Sequence, residues 1–162
     1  ISERGKVVKI EKVEINRRKK TLEIETIKGR LGFPFSRLAL KPGPHNTIVT
    51  AYVDAELGNQ AITYVLESGK EDSIHLDAFL DYNHDPDFLR NSALHQLTVE
   101  ALRLVRKSGL SKHEMLRRLR TTPIQLGRLL DTSNYRKSID EMFRLLAVLG
   151  YRVDIRLIET AA

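Results

Sequence analysis

Three helix-start motifs in one stretch of this chain constrain its fold more than any other feature. Between Gly109 and Gly150 the pattern Ser/Thr-x-x-Glu/Gln occurs three times, each time before an amphipathic apolar run. The matches are Ser111–Glu114, Thr122–Gln125 and Ser138–Glu141. In a capping box the hydroxyl accepts a hydrogen bond from the backbone N–H three residues on, and the Glu or Gln side chain reaches back. The pattern therefore predicts three short helices with well-defined starts.

The spacing of the first two motifs predicts a helix-turn-helix. A helix over about 112–119 would be followed by a turn of roughly three residues and a second helix over about 123–130, with Pro123 at its first position. The expected buried residues are Met115, Leu116 and Leu119 on the first helix, and Leu126, Leu129 and Leu130 on the second. The second helix of such a motif lies in the major groove of DNA.

The outward residues of the second helix are the candidate base contacts. They are Thr122, Gln125 and Arg128, with Ile124 at the edge. Gln is suited to bidentate contact with adenine, Arg to guanine, and the Thr methyl to thymine. A helix-turn-helix shape and a basic helix surface also occur in proteins that bind no nucleic acid. The prediction of DNA binding therefore also depends on how positive charge is distributed around the motif.

Positive charge is concentrated around this motif. Residues 100–130 carry eight basic and two acidic side chains, a net of +6, which equals the net charge of the whole chain. The basic residues are Arg103, Arg106, Lys107, Lys112, Arg117, Arg118, Arg120 and Arg128. Neutralising phosphates and releasing their counterions supplies much of the affinity of a duplex binder. Arg117, Arg118 and Arg120 are therefore candidate phosphate contacts.

The segments GLSKHEMLRRLRTTPIQLGRLLD and SIDEMFRLLAVLGYRVDI, joined by a basic linker, resemble the lambda-repressor-like (Cro/CI, XRE-type) DNA-binding domain. They look most like its bacterial antitoxin-like members, in which a strand follows the last helix. The resemblance covers about residues 92–158. It departs from the family pattern at Leu116, where a small residue is favoured, and at Arg120, where the turn often has Gly.

The resemblance implies base contacts from Thr122, Gln125 and Arg128. It also implies phosphate contacts from the first helix and from the loop before the last helix, namely from Lys112, Asn134, Tyr135, Arg136 and Lys137. A C-terminal strand over Tyr151–Leu157, which alternates apolar and polar residues, is expected to join the N-terminal sheet or to pair with a second copy.

Residues 1–80 are predicted to form a mostly antiparallel sheet domain. Strands are predicted over 6–15, 21–27, 47–53, 62–67 and 72–76, with a basic turn over 16–20. The segments TLEIETIKGRLGFPFSRL and ITYVLESGKEDSIHLDAFL follow the same order of strand, glycine turn and strand, which suggests a duplicated βββ or ββα unit. Residues 81–91 are the predicted linker and helix start, where Asp85 precedes Pro86, and 92–162 the predicted helix-turn-helix domain.

Composition argues against several other kinds of protein. There is no Cys, which excludes disulfides and thiol chemistry, and no apolar run long enough to span a bilayer. The opening ISERGKVVKIEK lacks a signal-peptide pattern, so a cytoplasmic location is expected. The His and Asp residues over 75–87 lack the spacing that is typical of metal ligands. The aromatic residues Phe33, Phe35 and Tyr52 are expected to lie in the core rather than to form a surface on which bases stack.

The expected protein is thus α+β and non-enzymatic, with no cofactor and no metal. We expect it to bind double-stranded DNA sequence-specifically as a homodimer and to repress transcription in a bacterium. The N-terminal domain would bind a small effector, a toxin-like protein or its own copy. The alternative is an antitoxin-like or other protein-interaction module whose DNA binding is secondary or lost.

Overall fold

The computed structural model describes residues 7–160 and has the predicted α+β fold. In the described part of the chain the strands are β1 (Ile10–Asn16), β2 (Thr21–Thr26), β3 (Gly29–Pro34), β4 (Ile48–Val53), β5 (Ala61–Leu66) and β6 (Glu71–His75). The helices are α1 (Leu76–Tyr82), α2 (Pro86–Ser108), α3 (Lys112–Leu119), α4 (Pro123–Leu129) and α5 (Ile139–Val148). A 3-10 turn covers Phe35–Arg37.

The chain divides into two compact units, Ile1–Leu89 and Arg90–Ala162. The division lies in the first turns of α2, within the segment 81–91 predicted as linker and helix start. Asp85 caps this helix, because its carboxylate accepts a hydrogen bond of 2.9 Å from the backbone N–H of Phe88.

The first unit is built from two similar halves. β1, β2 and β3 form one antiparallel sheet in that order, and β4, β5 and β6 form another. The 3-10 turn follows the first sheet and α1 follows the second. The first strand of each half has a register shift near its start, between Ile10 and Lys12 in β1 and between Ile48 and Thr50 in β4. These shared features support the internal duplication that the sequence suggested.

The same backbone hydrogen bond closes both halves. The N–H of Phe35, just after β3, donates to the carbonyl of Lys20, just before β2, across 2.9 Å. The N–H of Leu76, just after β6, donates to the carbonyl of Gln60, just before β5, across 2.7 Å. The likeness of the halves therefore extends to individual hydrogen bonds.

The core of the first unit lies under the two central strands. Leu22 and Ile24 of β2 are fully buried, as their alternation with Glu23 and Glu25 predicted. β5 is buried along nearly its whole length, whereas three of the six residues of β4 are exposed. The reason is position in the sheet, since β5 lies between its two neighbours and β4 pairs on one side only within its own sheet.

The aromatic residues considered for base stacking do not form a common surface. Phe33 is buried, with its ring centroid 5.5 Å from that of Phe79 and 5.7 Å from that of Tyr82. Phe35 packs against the same core, and Tyr52 is exposed on β4. Phe33 and Phe35 thus contribute to the packing of the first unit.

The second unit is a set of helices around one apolar core. α2 continues without a break through Asn91, which is buried, and ends before Gly109, which has a positive φ of 68°. The core contains buried residues of α2, α3, α4 and α5, together with Leu149: Leu94, Ala101, Leu104, Met115, Leu126, Leu129, Met142, Leu145, Leu146 and Leu149. Leu116, Leu119 and Leu130 pack against its margin, so the predicted buried faces of α3 and α4 are confirmed.

The predicted C-terminal strand over Tyr151–Leu157 is not formed. Residues 151–160 have no regular secondary structure, and Ile155, Leu157 and Ile158 are 71%, 93% and 78% exposed. A strand needs a partner for its backbone hydrogen bonds, and no described strand of this chain pairs with the segment. Alternation alone is insufficient to predict a strand here.

Of the three capping boxes that the sequence predicted, only the last is complete. Ser111, Thr122 and Ser138 each accept a hydrogen bond from the backbone N–H three residues on. Only Glu141 reaches back, accepting from the N–H of Ser138 across 2.7 Å. The carboxylate of Glu114 is instead held by two arginines, as described below.

Candidate nucleic-acid interface

A left-handed turn joins α3 to α4. Arg120 ends α3 with φ 52° and ψ 49°, and the next N–H, that of Thr121, donates to the carbonyl of Leu116 across 3.1 Å. This backbone conformation costs a residue with a side chain about 1–2 kcal/mol, and glycine adopts it freely. The chain therefore makes the turn with Arg at a position where the resembled family often has Gly.

The exposed side of α4 contains two of the three predicted base contacts. Thr122 and Gln125 are exposed, and Ile124 beside them is 83% exposed. The Thr122 hydroxyl oxygen accepts from the N–H of Gln125 across 3.2 Å, and the hydroxyl is still able to donate its proton to another group. α4 thus presents an amide, a hydroxyl and an apolar side chain, a combination that is able to contact base edges.

Arg128, the third predicted base contact, is engaged within the protein. One of its terminal nitrogens donates to a carboxylate oxygen of Glu141 on α5 across 2.8 Å, and its Nε is buried without an acceptor. The backbone hydrogen bond from Ser138, aided by the positive charge of Arg128, holds the pKa of Glu141 below its usual value. Arg128 links α4 to α5 through an ionised pair.

Two predicted phosphate contacts share one carboxylate. Arg117 and Arg118 on α3 both donate to Glu114, each at 2.7 Å. The hydrogen bonds from Arg117 and then Arg118 lower the pKa of Glu114 to about 2. Glu114 is therefore ionised at neutral pH and cancels one of the two positive charges at this surface.

Three of the other predicted phosphate contacts are exposed cations without a paired carboxylate. Lys112, Arg120 and Arg136 are exposed, and within residues 7–160 none of them has a carboxylate within 4.0 Å. Asn134 caps the loop, because its amide donates to the carbonyl of Arg128 and its oxygen accepts from the N–H of Arg136. Tyr135 is half-buried against the helical core.

Lys137 does not belong to the surface, contrary to the prediction that it contacts phosphate. Its side chain is 1% exposed, and its Nζ donates to the carbonyls of Leu129 and Asp131 across 2.8 and 2.9 Å. Burial lowers the pKa of this amine. The loop folds the side chain under the C-terminal end of α4, where free carbonyls attract a cation, and a phosphate has no access to it.

Sequence reasoning missed Arg90, which holds the loop between α4 and α5. Its guanidinium donates to the carbonyls of Tyr135 and Lys137 across 3.0 and 3.2 Å. These residues are 45 and 47 positions away in sequence, and nothing in the local pattern around Arg90 indicates the contact. Arg90 and Lys137 together fix the position of the loop.

The His and Asp residues over 75–87 have local structural contacts. His75 accepts from the N–H of Asp77 at the start of α1, and Asp85 and Asp87 bind Lys28 across 2.7 and 3.1 Å. Burial opposes the ionisation of Asp85, but hydrogen bonds from Lys28 and from the N–H of Phe88 hold its pKa below the usual value. Within residues 7–160 no group of three His or acidic side chains is arranged to hold a metal ion.

Among the described residues, no helix combines the length and apolar character needed to cross a membrane. Comparison of the chain with protein-family models, curated protein sequences and solved structures found no match.

Proposed function

We propose that the second unit binds double-stranded DNA sequence-specifically, with α4 in the major groove. One observation carries the proposal. α3 and α4 pack into a common core through a three-residue turn, and α4 leaves Thr122, Ile124 and Gln125 exposed. An exposed, short helix held by a preceding helix is the arrangement that a helix-turn-helix uses to reach base edges.

In this proposal Gln125 contacts adenine and Thr122 contacts thymine or a neighbouring phosphate. Arg128 contacts guanine after exchanging Glu141 for a base edge, a substitution of one charge-assisted hydrogen-bond acceptor for another. Recognition of guanine by Arg128 then requires that the ion pair between Arg128 and Glu141 breaks.

Phosphate contacts come from cations on both sides of α4. Lys112 is the first residue of α3, Arg120 follows its last residue, and Arg136 lies in the loop between α4 and α5. Arg117 and Arg118 contribute when they turn away from Glu114. Asn134 and Tyr135 contribute through the same loop. Each phosphate neutralised adds about −0.9 to the slope of log affinity against log salt concentration.

The proposed biological role is repression of a bacterial promoter by a cytoplasmic homodimer. Two copies would read half-sites about one helical turn apart. The segment after Gly150, with apolar residues exposed at Ile155, Leu157 and Ile158, is the proposed contact between copies.

A protein-interaction module of the antitoxin-like kind is the second candidate. The observations that favour it are the internal pairing of Arg128 and the exposure of Ile124 together with the apolar C-terminal segment. Exposed apolar residues are more typical of a protein contact than of a surface that faces phosphates.

Selection from random duplex DNA, at about 50 mM and 200 mM salt, separates the two candidates. An enriched palindrome at the higher salt supports a dimeric, sequence-specific regulator. The double variant Thr122→Ala/Gln125→Ala should then lose the motif while retaining nonspecific binding at low salt, and Gln96→Ala on the exposed side of α2 serves as the control. Retention without any enriched motif would overturn the proposal and favour the protein-interaction module.

A further inference from the structure

A cavity of about 500 Å³ lies at one end of the first sheet, between the β1–β2 turn and the loop that leads to β4. Its lining includes the basic side chains of Arg17, Lys20 and Lys41 and the apolar side chains of Phe35, Pro42 and Pro44. This size lies within the range of cavities that bind small organic molecules. We call it the basic cavity.

The positive charges of the basic cavity are not compensated within the described chain. None of Arg17, Lys20 and Lys41 has a carboxylate within 4.0 Å among residues 7–160. The carboxylate of Glu67 lies near the rim, where it accepts from the N–H of Thr47 across 3.0 Å. Three cations facing one cavity repel each other, so an anion within it would lower the electrostatic energy.

The fold itself does not require these cations. The equivalent connection of the second half, between β4 and β5, contains no Lys or Arg and carries Asp54 and Glu56. Asp54 caps that connection by accepting from the N–H of Glu56 across 3.0 Å. The two halves share the closing backbone hydrogen bond but differ in charge at this connection.

The walls of the basic cavity are fixed by hydrogen bonds. The hydroxyl of the fully buried Tyr64 donates to the carbonyl of Leu40 across 2.8 Å, which anchors the start of the proline loop. Gly43 and Asn46 exchange two backbone hydrogen bonds of 3.1 Å. A loop held by such contacts loses less conformational entropy when a ligand binds than a loop without them.

We propose that the basic cavity binds a small organic anion. The apolar body of the ligand packs against Phe35, Pro42 and Pro44, and its carboxylate, sulfonate or phosphate group accepts hydrogen bonds from Arg17, Lys20 and Lys41. This binding resides in the first unit and does not depend on the function proposed for the second.

The test uses the full chain and two probes that differ in charge, naphthalene-2-sulfonate and the neutral naphthalene-2-sulfonamide. Amide chemical shifts are followed by NMR during titration with each probe. We expect saturable shifts at Gly43, Thr47 and neighbouring amides, with the sulfonate binding about ten-fold more tightly than the sulfonamide. Lys41→Gln and Arg17→Gln should each weaken sulfonate binding about ten-fold.

Arg18→Gln is the matched control, since Arg18 belongs to the same basic turn but does not line the cavity. It removes the same charge and should change the affinity by less than about two-fold. Equal affinity for both probes, equal loss in the Arg18 and Lys41 variants, or no saturable shift up to about 10 mM would each overturn the proposal. Unchanged amide spectra of the ligand-free variants exclude misfolding as the cause of any loss.

Discussion

The guanidinium of Arg128 on α4 donates to the carboxylate of Glu141 on α5 across 2.8 Å, so the proposed recognition helix is tied to the helix that follows it. The side chain of Arg128 is 39% exposed and that of Glu141 is 33% exposed. Water screens such a pair, and it contributes at most about 1 kcal/mol to stability. The Arg128–Glu141 ion pair is therefore weak enough for a guanine to replace Glu141 as the hydrogen-bond acceptor of Arg128.

Glu141→Gln tests this exchange. A Gln at this position retains the ability to reach back to the N–H of Ser138. We expect little loss of stability and a stronger preference for guanine at one position of the selected site, whereas Arg128→Ala should abolish that preference at a cost of about 1–3 kcal/mol. Selection from random duplexes measures both, and an identical base preference in the two variants would remove Arg128 from the base contacts.

Lys137→Met should lower the free energy of unfolding by about 1.5–3 kcal/mol, because two carbonyls at the end of α4 lose a charged donor. The salt dependence of DNA binding should stay unchanged. Arg136→Met, at the exposed neighbour, should leave stability within about 0.5 kcal/mol and reduce the salt slope by about one. Urea unfolding followed by circular dichroism and salt titrations of binding distinguish them, and a reduced slope for Lys137→Met would contradict its buried role.

Glu114→Gln should strengthen duplex binding about two- to five-fold, because it frees Arg117 and Arg118 and removes a negative charge. Glu100→Gln makes the same charge change on α2, where Glu100 pairs with Arg103 across 2.8 Å. A gain confined to the Glu114 variant supports phosphate contacts by α3. Equal gains in both variants would indicate only long-range electrostatics.

The ion pairs of Glu114 with Arg117 and Arg118 should persist on acidification until far below neutral pH. The pKa of Glu114 is about 2 in the folded protein, below its ordinary value. A lowered carboxyl pKa contributes stability above the unfolded value of about 4.3, and this contribution is lost as the pH falls towards 2. NMR titration of the Glu114 carboxyl carbon checks this, and a midpoint near 4 would contradict the double arginine contact.

Arg120→Gly should raise stability by up to about 1 kcal/mol relative to Arg120→Ala, because glycine adopts the left-handed turn without strain. Both variants lose the same charge, so both should weaken DNA binding equally. Urea unfolding of the pair isolates the backbone effect from the electrostatic one. Because glycine gains more conformational entropy than alanine in the unfolded state, equal stability of the two variants would contradict a backbone strain above about 1 kcal/mol.

Two glycines offer a second backbone comparison. A Cβ added at Gly127 or at Gly150 meets nothing within 4 Å, but only Gly150 has a positive φ, of 89°. Gly127→Ala should therefore stabilise α4 by about 0.5–1 kcal/mol, and Gly150→Ala should destabilise the end of α5 by up to about 1 kcal/mol. Thermal unfolding measures both, and changes of the same sign would contradict this explanation.

Local patterns predicted the three short helices of the second unit well, but they predicted neither α1 nor all contacts of the candidate site. The hydroxyl of Ser111 and the position of Pro123 act within a few residues, so the starts of α3 and α4 follow from sequence alone. The burial of Lys137 and the contacts of Arg90 depend on how a loop returns to α2 and α4, which no local rule determines. Alternation after Gly150 suggested a strand, but whether an alternating segment becomes a strand depends on a partner for its backbone.

The duplicated halves of the first unit also have a kinetic consequence. Every strand in them pairs with a sequence neighbour, so each half assembles through short loop closures. Joining β1 to β4 is the step that spans a long stretch of chain. Proteins dominated by local pairing fold faster than those that depend on distant pairing. This unit is therefore expected to fold as two rapid meanders and one slower docking event, and mutations at the β1–β4 contact should slow its folding most.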